Sequence, residues 1–121
     1  MSDKKATDTL QLAVEGIQER KGKNISIIDL KNIPVAAAPA FVIAEGTSTM
    51  HVTSIADSVQ DWLLEKAGRK PYNYDGYRQG EWIVLDYGDV MVHVFMPEAR
   101  EKYNLEELWS DAEITRVPDL D

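Results

Sequence analysis

GEWIVLDYGDVMVHVFMPEAREKYNLEELWSDA, residues 80–112, decides the fold, because two strands and two helices follow one another in it without a spacer. Apolar runs flank Tyr87-Gly88, and a two-residue connection containing Gly makes a tight hairpin. That turn predicts Asp86 opposite Asp89, Val84 opposite Met91 and Trp82 opposite His93, with Leu85 facing Val90 and Ile83 facing Val92. Side chains alternate along a strand, so Ile83, Leu85, Val90, Val92 and Val94 share an aliphatic face that must be buried. The opposite face carries Trp82, Val84, Asp86, Asp89, Met91, His93 and Phe95, a mixture of aromatic, Met and carboxylate groups typical of a docking surface. Unless a helix covers it, that face is an exposed apolar patch of the kind that marks a binding site.

Downstream, Pro97 suits the first position of a helix and Glu98 its first turn. Asn104 is expected to end that helix and to cap another, with Glu107 three residues later as in a capping box. Leu105, Leu108 and Trp109 then fall on one side. Residues 113–121 are polar and contain Pro118, which predicts a loosely held tail and a domain over residues 1–112.

Upstream, Leu10, Ala13, Val14 and Ile17 recur at helical spacing, predicting an amphipathic helix from Thr7 to about Gly22, capped by Thr7 or Asp8 and stopped by Gly22. Strands are predicted over Asn24–Leu30 and Ala40–Ala44, joined through a loop at Asn32–Pro39. A second helix is expected from Thr49 to Ala67, capped by Ser48 or Thr47 and ended by Gly68, with Val52, Ile55, Ala56, Val59, Trp62 and Leu63 on its inner stripe. Arg69 to Gly80 reads as a short edge strand and loop. The order predicts one α/β domain whose mixed sheet of about five strands is covered by helices.

Composition narrows the function. A chain of 121 residues suits one domain with a core of its own. The absence of Cys removes thiolate nucleophiles, disulfides and Cys-ligated metals, and it suits a reducing cytoplasm. Neither a signal-peptide core nor an apolar run of membrane-spanning length is present in the sequence, so a membrane association is not expected. The net charge of −8 opposes direct nucleic acid binding along a phosphate backbone and favours a basic partner, though acidity alone also serves solubility.

Three readings apply to Gly46-Thr47-Ser48: a helix cap, an anion site, or the entry turn of a nucleotidyltransferase. The last needs carboxylates converging on the turn to hold magnesium. Asp86 and Asp89 are the one obvious pair, and they flank a hairpin turn, where Asp is favoured for local reasons or faces a partner's cations. His51 and His93 have no second ligand at metal spacing, so no metal and no cofactor are expected. His51 is expected to support the helix start and His93 to stack on Trp82.

Three motifs in order carry a family resemblance. They are Gly46-Thr47-Ser48-x-x-His51-Val52 with Ile55-Ala56-Asp57, then Trp82-Ile83-Val84-Leu85-Asp86-Tyr87-Gly88-Asp89-Val90-x-Val92-His93, then Glu98-x-Arg100-x-x-Tyr103-x-Leu105-Glu106-x-Leu108-Trp109. Together they closely resemble the ribosomal silencing factor family, RsfS, also called Iojap. The resemblance implies a nucleotidyltransferase-like sheet without enzymatic activity. It also implies binding to the large ribosomal subunit through its basic ribosomal protein fourteen, so that the small subunit cannot join. On this reading Trp82 is the expected interface anchor, Asp86 and Asp89 face basic side chains, and Met91, Tyr103 and Leu105 extend the patch. A homodimer is compatible with the free protein. The alternative is a nucleotide-binding or nucleotidyltransferase enzyme built on the same sheet.

Overall fold

The hairpin forms with its turn one residue later than Tyr87-Gly88. In the computed structural model, which describes residues 2–120, β4 (Trp82–Asp86) and β5 (Met91–Phe95) pair Trp82 with Phe95, Val84 with His93 and Asp86 with Met91. Tyr87 N–H donates to Val90 O at 2.9 Å, which leaves Gly88 and Asp89 as the two turn residues. Gly88 has φ +85°, the left-handed backbone that Gly adopts without steric cost in such turns. The driving force is Tyr87, whose fully buried ring belongs to the core and not to a turn. Each partner moves by two places, an even number, so the division into faces survives while every cross-strand partner changes.

The aliphatic face is core as expected: Ile83, Leu85, Val90, Val92 and Val94 are all fully buried. They join Ile25, Val42 and Ala44 from β1 (Lys23–Asp29) and β2 (Ala40–Glu45), beneath α1 (Ser2–Glu19) and α2 (Thr49–Ala67). β1 and β2 pair antiparallel, and β2 runs parallel to β5. A short edge strand, β3 (Asn73–Asp75), completes the β4 side.

Three boundaries differ from the sequence reading. α1 begins at Ser2, ahead of the Thr7 or Asp8 expected as its cap, and its chain reverses through Lys21 at φ +57° before Gly22, whose N–H returns to Ile17 O. Glu113–Val117, expected as a loose tail, is a strand, β6, paired antiparallel to β1. The sheet therefore has six strands in the order β3-β4-β5-β2-β1-β6. Beyond β6, Asp119 accepts the Asn24 N–H at 2.9 Å, which ties the chain end back to the start of β1. The strand forms because Ile114 and Val117 pack against the two core clusters, while the ladder to β1 satisfies its backbone.

The second face is not open as expected. Ile28, Leu30, Ala38, Phe41, Ile43 and Phe95 form a second buried cluster, packed by Ile33 and Ala36 from the 30–39 loop and by Ala99, Leu105 and Trp109 from the α3 (Pro97–Tyr103) and α4 (Leu105–Leu108) region. His93 is 4% exposed and Phe95 1%. Two short helices and a loop thus cover the half of the face nearest β1 and β2. Trp82, Val84, Asp86 and Met91 remain half-buried beyond their edge. Leu108, expected beside Leu105 and Trp109, is 68% exposed instead, because α4 is a single turn.

α1 and α2 cross at a glycine. A Cβ on Gly16 would lie 2.9 Å from Val59 Cα, and Ser58 Oγ donates to Gly16 O at 2.7 Å. Ala favours a helix over Gly by up to about 1 kcal/mol, but the contact distance means the helices must separate. We expect Gly16→Ala to lose about 1 to 3 kcal/mol net through overpacking, read as a lower urea midpoint at unchanged slope.

Candidate functional site

Where the covering helices stop, the second face presents a run of aromatic rings. Trp82, at the start of β4, stacks on Phe95 across the hairpin at 5.0 Å between centroids and 22° between planes. Tyr103, the last residue of α3, lies against the same indole at 4.7 Å and is 49% exposed. Inward, Trp82 lies 5.9 Å from His93, which meets Phe41 at 4.6 Å, and Phe41 meets Trp109 edge-on at 6.4 Å. The rings therefore lead from the buried cluster to the surface, ending at Tyr103. The Trp82 site is rigid as a result, because an indole held by rings on two sides has few rotamers left.

His93 holds Trp82 by a hydrogen bond, with the two rings tilted by 35° to one another. The indole Nε1–H donates to His93 Nδ1 at 3.1 Å, which assigns the ring proton to Nε2. Nε2 is buried and has no hydrogen-bond partner among the described residues. Burial disfavours the cation and pushes the pKa of His93 down to about 3. The imidazole is accordingly a neutral acceptor at physiological pH. The expected stack on Trp82 is replaced by a tilted, diagonal contact, since the residue directly opposite Trp82 is Phe95, and it is Phe95 that stacks on the indole.

Next to Trp82 the face opens into a groove of about 330 Å³ lined by Asn73, Tyr74, Asp75, Val84, Asp86 and Met91. Asp86 uses Oδ1 to accept the Gly88 N–H at 2.8 Å, so it serves the turn and still borders the groove. Asp75 does the same for Gly76 N–H at 2.8 Å. Neither carboxylate has an ion-pair partner among the described residues. With Val84 and Met91 lining the same groove, they suit a side chain with an aliphatic stem and a cationic head.

Asp89 is not part of this surface. Both of its oxygens accept from Arg69, at 2.9 and 3.2 Å, and Arg69 also donates to Tyr87 O at 2.7 Å and Thr9 Oγ1 at 2.6 Å. The one-residue shift of the turn swings Asp89 toward the chain after α2, where it joins the hairpin tip to that segment. Of the six residues expected at the site, Trp82, Asp86, Met91 and Tyr103 border the open part of the face. Leu105 packs into the second cluster beneath it, and Asp89 is withdrawn.

The Gly46-Thr47-Ser48 turn is occupied by its own helix. Ser48 Oγ accepts the His51 N–H at 3.0 Å, Thr47 N–H donates to His51 Nδ1 at 2.9 Å, and His51 Nε2 lies 2.7 Å from Arg20 O. His51 thus joins the end of α1 to the start of α2, as a helix-start support. A groove of about 560 Å³ beside α2 sets Arg20 and Arg78 among Asp57, Asp61 and several hydroxyls, and shares no lining residue with the aromatic site. No group of three or more His, Asp or Glu residues that could hold a metal ion occurs among the described residues. No helix among them is long and apolar enough to cross a membrane.

Two features escaped the sequence reading. Asn73 and Asp75 enter the groove because β3 pairs them with Asp86 and Val84, a register that a three-residue strand does not announce. Arg100, in the last turn of α3, is buried, although the helical pattern around it reads as a solvated surface. Its one sequence signal is the glutamate six residues later, too far along a broken helix to be paired by spacing.

Comparison with known proteins places this geometry. The family model for the ribosomal silencing factor during starvation, RsfS, matches residues 3–121. A ribosomal silencing factor RsfS from Halalkalibacterium halodurans is 36% identical over 105 residues, 87% of this chain and 88% of that protein. A crystal structure of a protein from Chromobacterium violaceum superposes with a TM-score of 0.80 at 35% identity, covering 86% of this chain and 85% of that one. The mouse protein named mitochondrial assembly of ribosomal large subunit protein 1 is 28% identical over 103 residues, which span 84% of this chain but 45% of that protein.

Proposed function

The chain belongs to the ribosomal silencing factor family, RsfS, and from that membership we propose that it binds the large ribosomal subunit and sterically prevents the small subunit from joining. The contact is with the basic ribosomal protein fourteen on the intersubunit face. The observation that carries this reading is the half-open aromatic pair Trp82–Tyr103, on the same sheet face as a groove lined by Asp86 and Met91. A rigid aromatic anchor on the same face as carboxylates without an ion-pair partner among the described residues supports a basic protein partner, because the rings supply desolvated contact area and the carboxylates supply charge complementarity. The net charge of −8 works in the same direction over longer range. Occupying an intersubunit surface requires no chemistry, so the protein acts as a repressor of translation and not as an enzyme.

The test is sucrose-gradient sedimentation with purified subunits. The protein should travel with the large subunit and lower the yield of whole ribosomes as its concentration rises, less strongly at high salt. Migration with the small subunit alone, or undiminished ribosome formation at saturating protein, would overturn the proposal. A thermal shift with magnesium and a nucleoside triphosphate, abolished in Ser48→Ala, would instead favour the nucleotidyltransferase reading.

A further inference from the structure

Arg100 lies three residues before Tyr103 and is 8% exposed. Burying a guanidinium is costly unless each of its five N–H groups finds an acceptor. Here each does. Nε donates to Glu106 Oε1 at 3.2 Å and one terminal nitrogen to Glu106 Oε2 at 3.0 Å, a bidentate pair, and that nitrogen also reaches Ser26 Oγ at 3.1 Å. The other terminal nitrogen donates to Asn24 O at 2.5 Å and to Glu45 Oε2 at 3.2 Å. Glu106 in turn accepts from Ser26 Oγ at 2.9 Å and lies 3.6 Å from an Arg116 nitrogen. Burial alone would raise the Glu106 carboxyl, yet hydrogen bonds from Arg100 and Ser26 outweigh it and hold its pKa below the ordinary carboxylate value.

The placement of this cluster matters more than its strength. Arg100 is fixed to β1 through Asn24 and Ser26, to β2 through Glu45, and to α4 through Glu106. Between Arg100 and Glu106 the chain reverses at Asn104, a non-glycine residue at φ +44° that ends α3 and caps α4. Tyr103 and Leu105 flank that reversal. One side chain therefore sets the rotation of α3 and the start of α4, and with them the position of the Tyr103 ring over Trp82. Ala99, Leu105 and Trp109 pack the region onto the sheet, but Tyr103 itself is half exposed and α4 is a single turn, so directional polar bonds are needed to fix the reversal between them.

We propose that Arg100, clamped bidentately by Glu106, is the positioning residue of the Trp82–Tyr103 surface, holding it in the geometry its protein partner recognises. This rests on the function proposed above, though the clamp itself can be tested without a partner. A lysine keeps the charge but cannot form the fork or reach five acceptors, so Arg100→Lys is the informative change. Glu106→Gln is the second, because it keeps the shape and loses the charge assistance.

The experiment pairs NMR with binding. Nuclear Overhauser contacts between the Trp82 and Tyr103 rings are recorded in the full chain, each variant well below its own melting temperature. The dissociation constant for purified large subunits is measured alongside. Both variants should keep the sheet amide pattern, lose or weaken the ring contacts, and bind at least tenfold more weakly. A purely structural arginine would lower the melting temperature with ring contacts and affinity intact, and that result overturns the proposal. So does loss of the ring contacts with parental affinity. If Arg100→Lys does not fold, Glu106→Gln decides by the same two readings. Should the parent itself fail to bind, the function proposal falls separately, and the ring contacts alone then decide whether Arg100 positions Tyr103.

Discussion

Acidification from pH 6.5 toward pH 3 should remove roughly 4 kcal/mol of folding stability through His93 alone, given a native pKa pushed to about 3 from 6.5. The unfolded chain accepts a proton in this range that the buried imidazole refuses, so the unfolded state binds more protons and stability falls with pH. The contribution is intact above pH 6.5 and lost progressively below it, at just over about 1 kcal/mol per pH unit. Two structural facts make refusal strong. Nδ1 is already committed as acceptor to the Trp82 indole, so adding a proton there breaks that bond, and the ring is packed among Phe41, Trp82 and Phe95, which carry no charge to balance it. His93→Asn should flatten the pH dependence, because its amide oxygen can take the place of Nδ1 and does not titrate. Its baseline should fall by about 1 to 3 kcal/mol from the smaller volume. Glu106 also loses stabilisation in acid, since its pKa is held low, but that loss is common to parent and variant and cancels in the comparison. Urea titrations at several pH values check this. Equal slopes in both proteins would show that His93 is not the titrating group.

The same hairpin shows how far the sequence alone could be read and where it stopped. Alternation identified the aliphatic face without error, because period two is insensitive to which residues form the turn. The partners were not legible: Tyr87 looks like a turn residue until its ring is seen to be buried, and moving the turn by one place re-pairs the entire ladder. Asp89 was misassigned for that reason, since its arginine partner lies 20 residues upstream and nothing local signals it. Coverage of the second face was equally hidden. Only the assembled molecule shows that the 30–39 loop, α3 and α4 reach Phe95 and His93 yet stop short of Trp82 and Met91. The caps of the later helices, unlike that of α1, were legible: Ser48, Gly68 and Asn104 act through groups within a few residues of themselves, and such chemistry is written in the local sequence.

Trp82→Ala should cost in both folding and binding, which distinguishes it from a change confined to the surface. The indole is half-buried, packed between Phe95 and Tyr103, and its removal leaves His93 Nδ1 without its donor. Truncating a fully buried Trp costs about 3 to 5 kcal/mol, so a half-buried one with two aromatic contacts should cost about 2 to 3. On the proposed function, the affinity for the large subunit should fall by at least about 2 kcal/mol besides, roughly thirtyfold in the dissociation constant. Because unfolding also lowers apparent affinity, Trp82→Ala alone cannot apportion the two. Tyr103→Ala can: that ring is half exposed at the end of a short helix, so the melting temperature should move by only a few degrees while affinity falls comparably. The two variants should therefore differ widely in denaturant midpoint and little in binding once the folded fraction is taken into account. If Tyr103→Ala binds like the parent and the loss in Trp82→Ala is explained by its unfolded fraction, the aromatic pair is packing alone. The partner would then have to be sought at another surface, such as the groove of about 560 Å³ lined by Arg20, Arg78, Asp57 and Asp61.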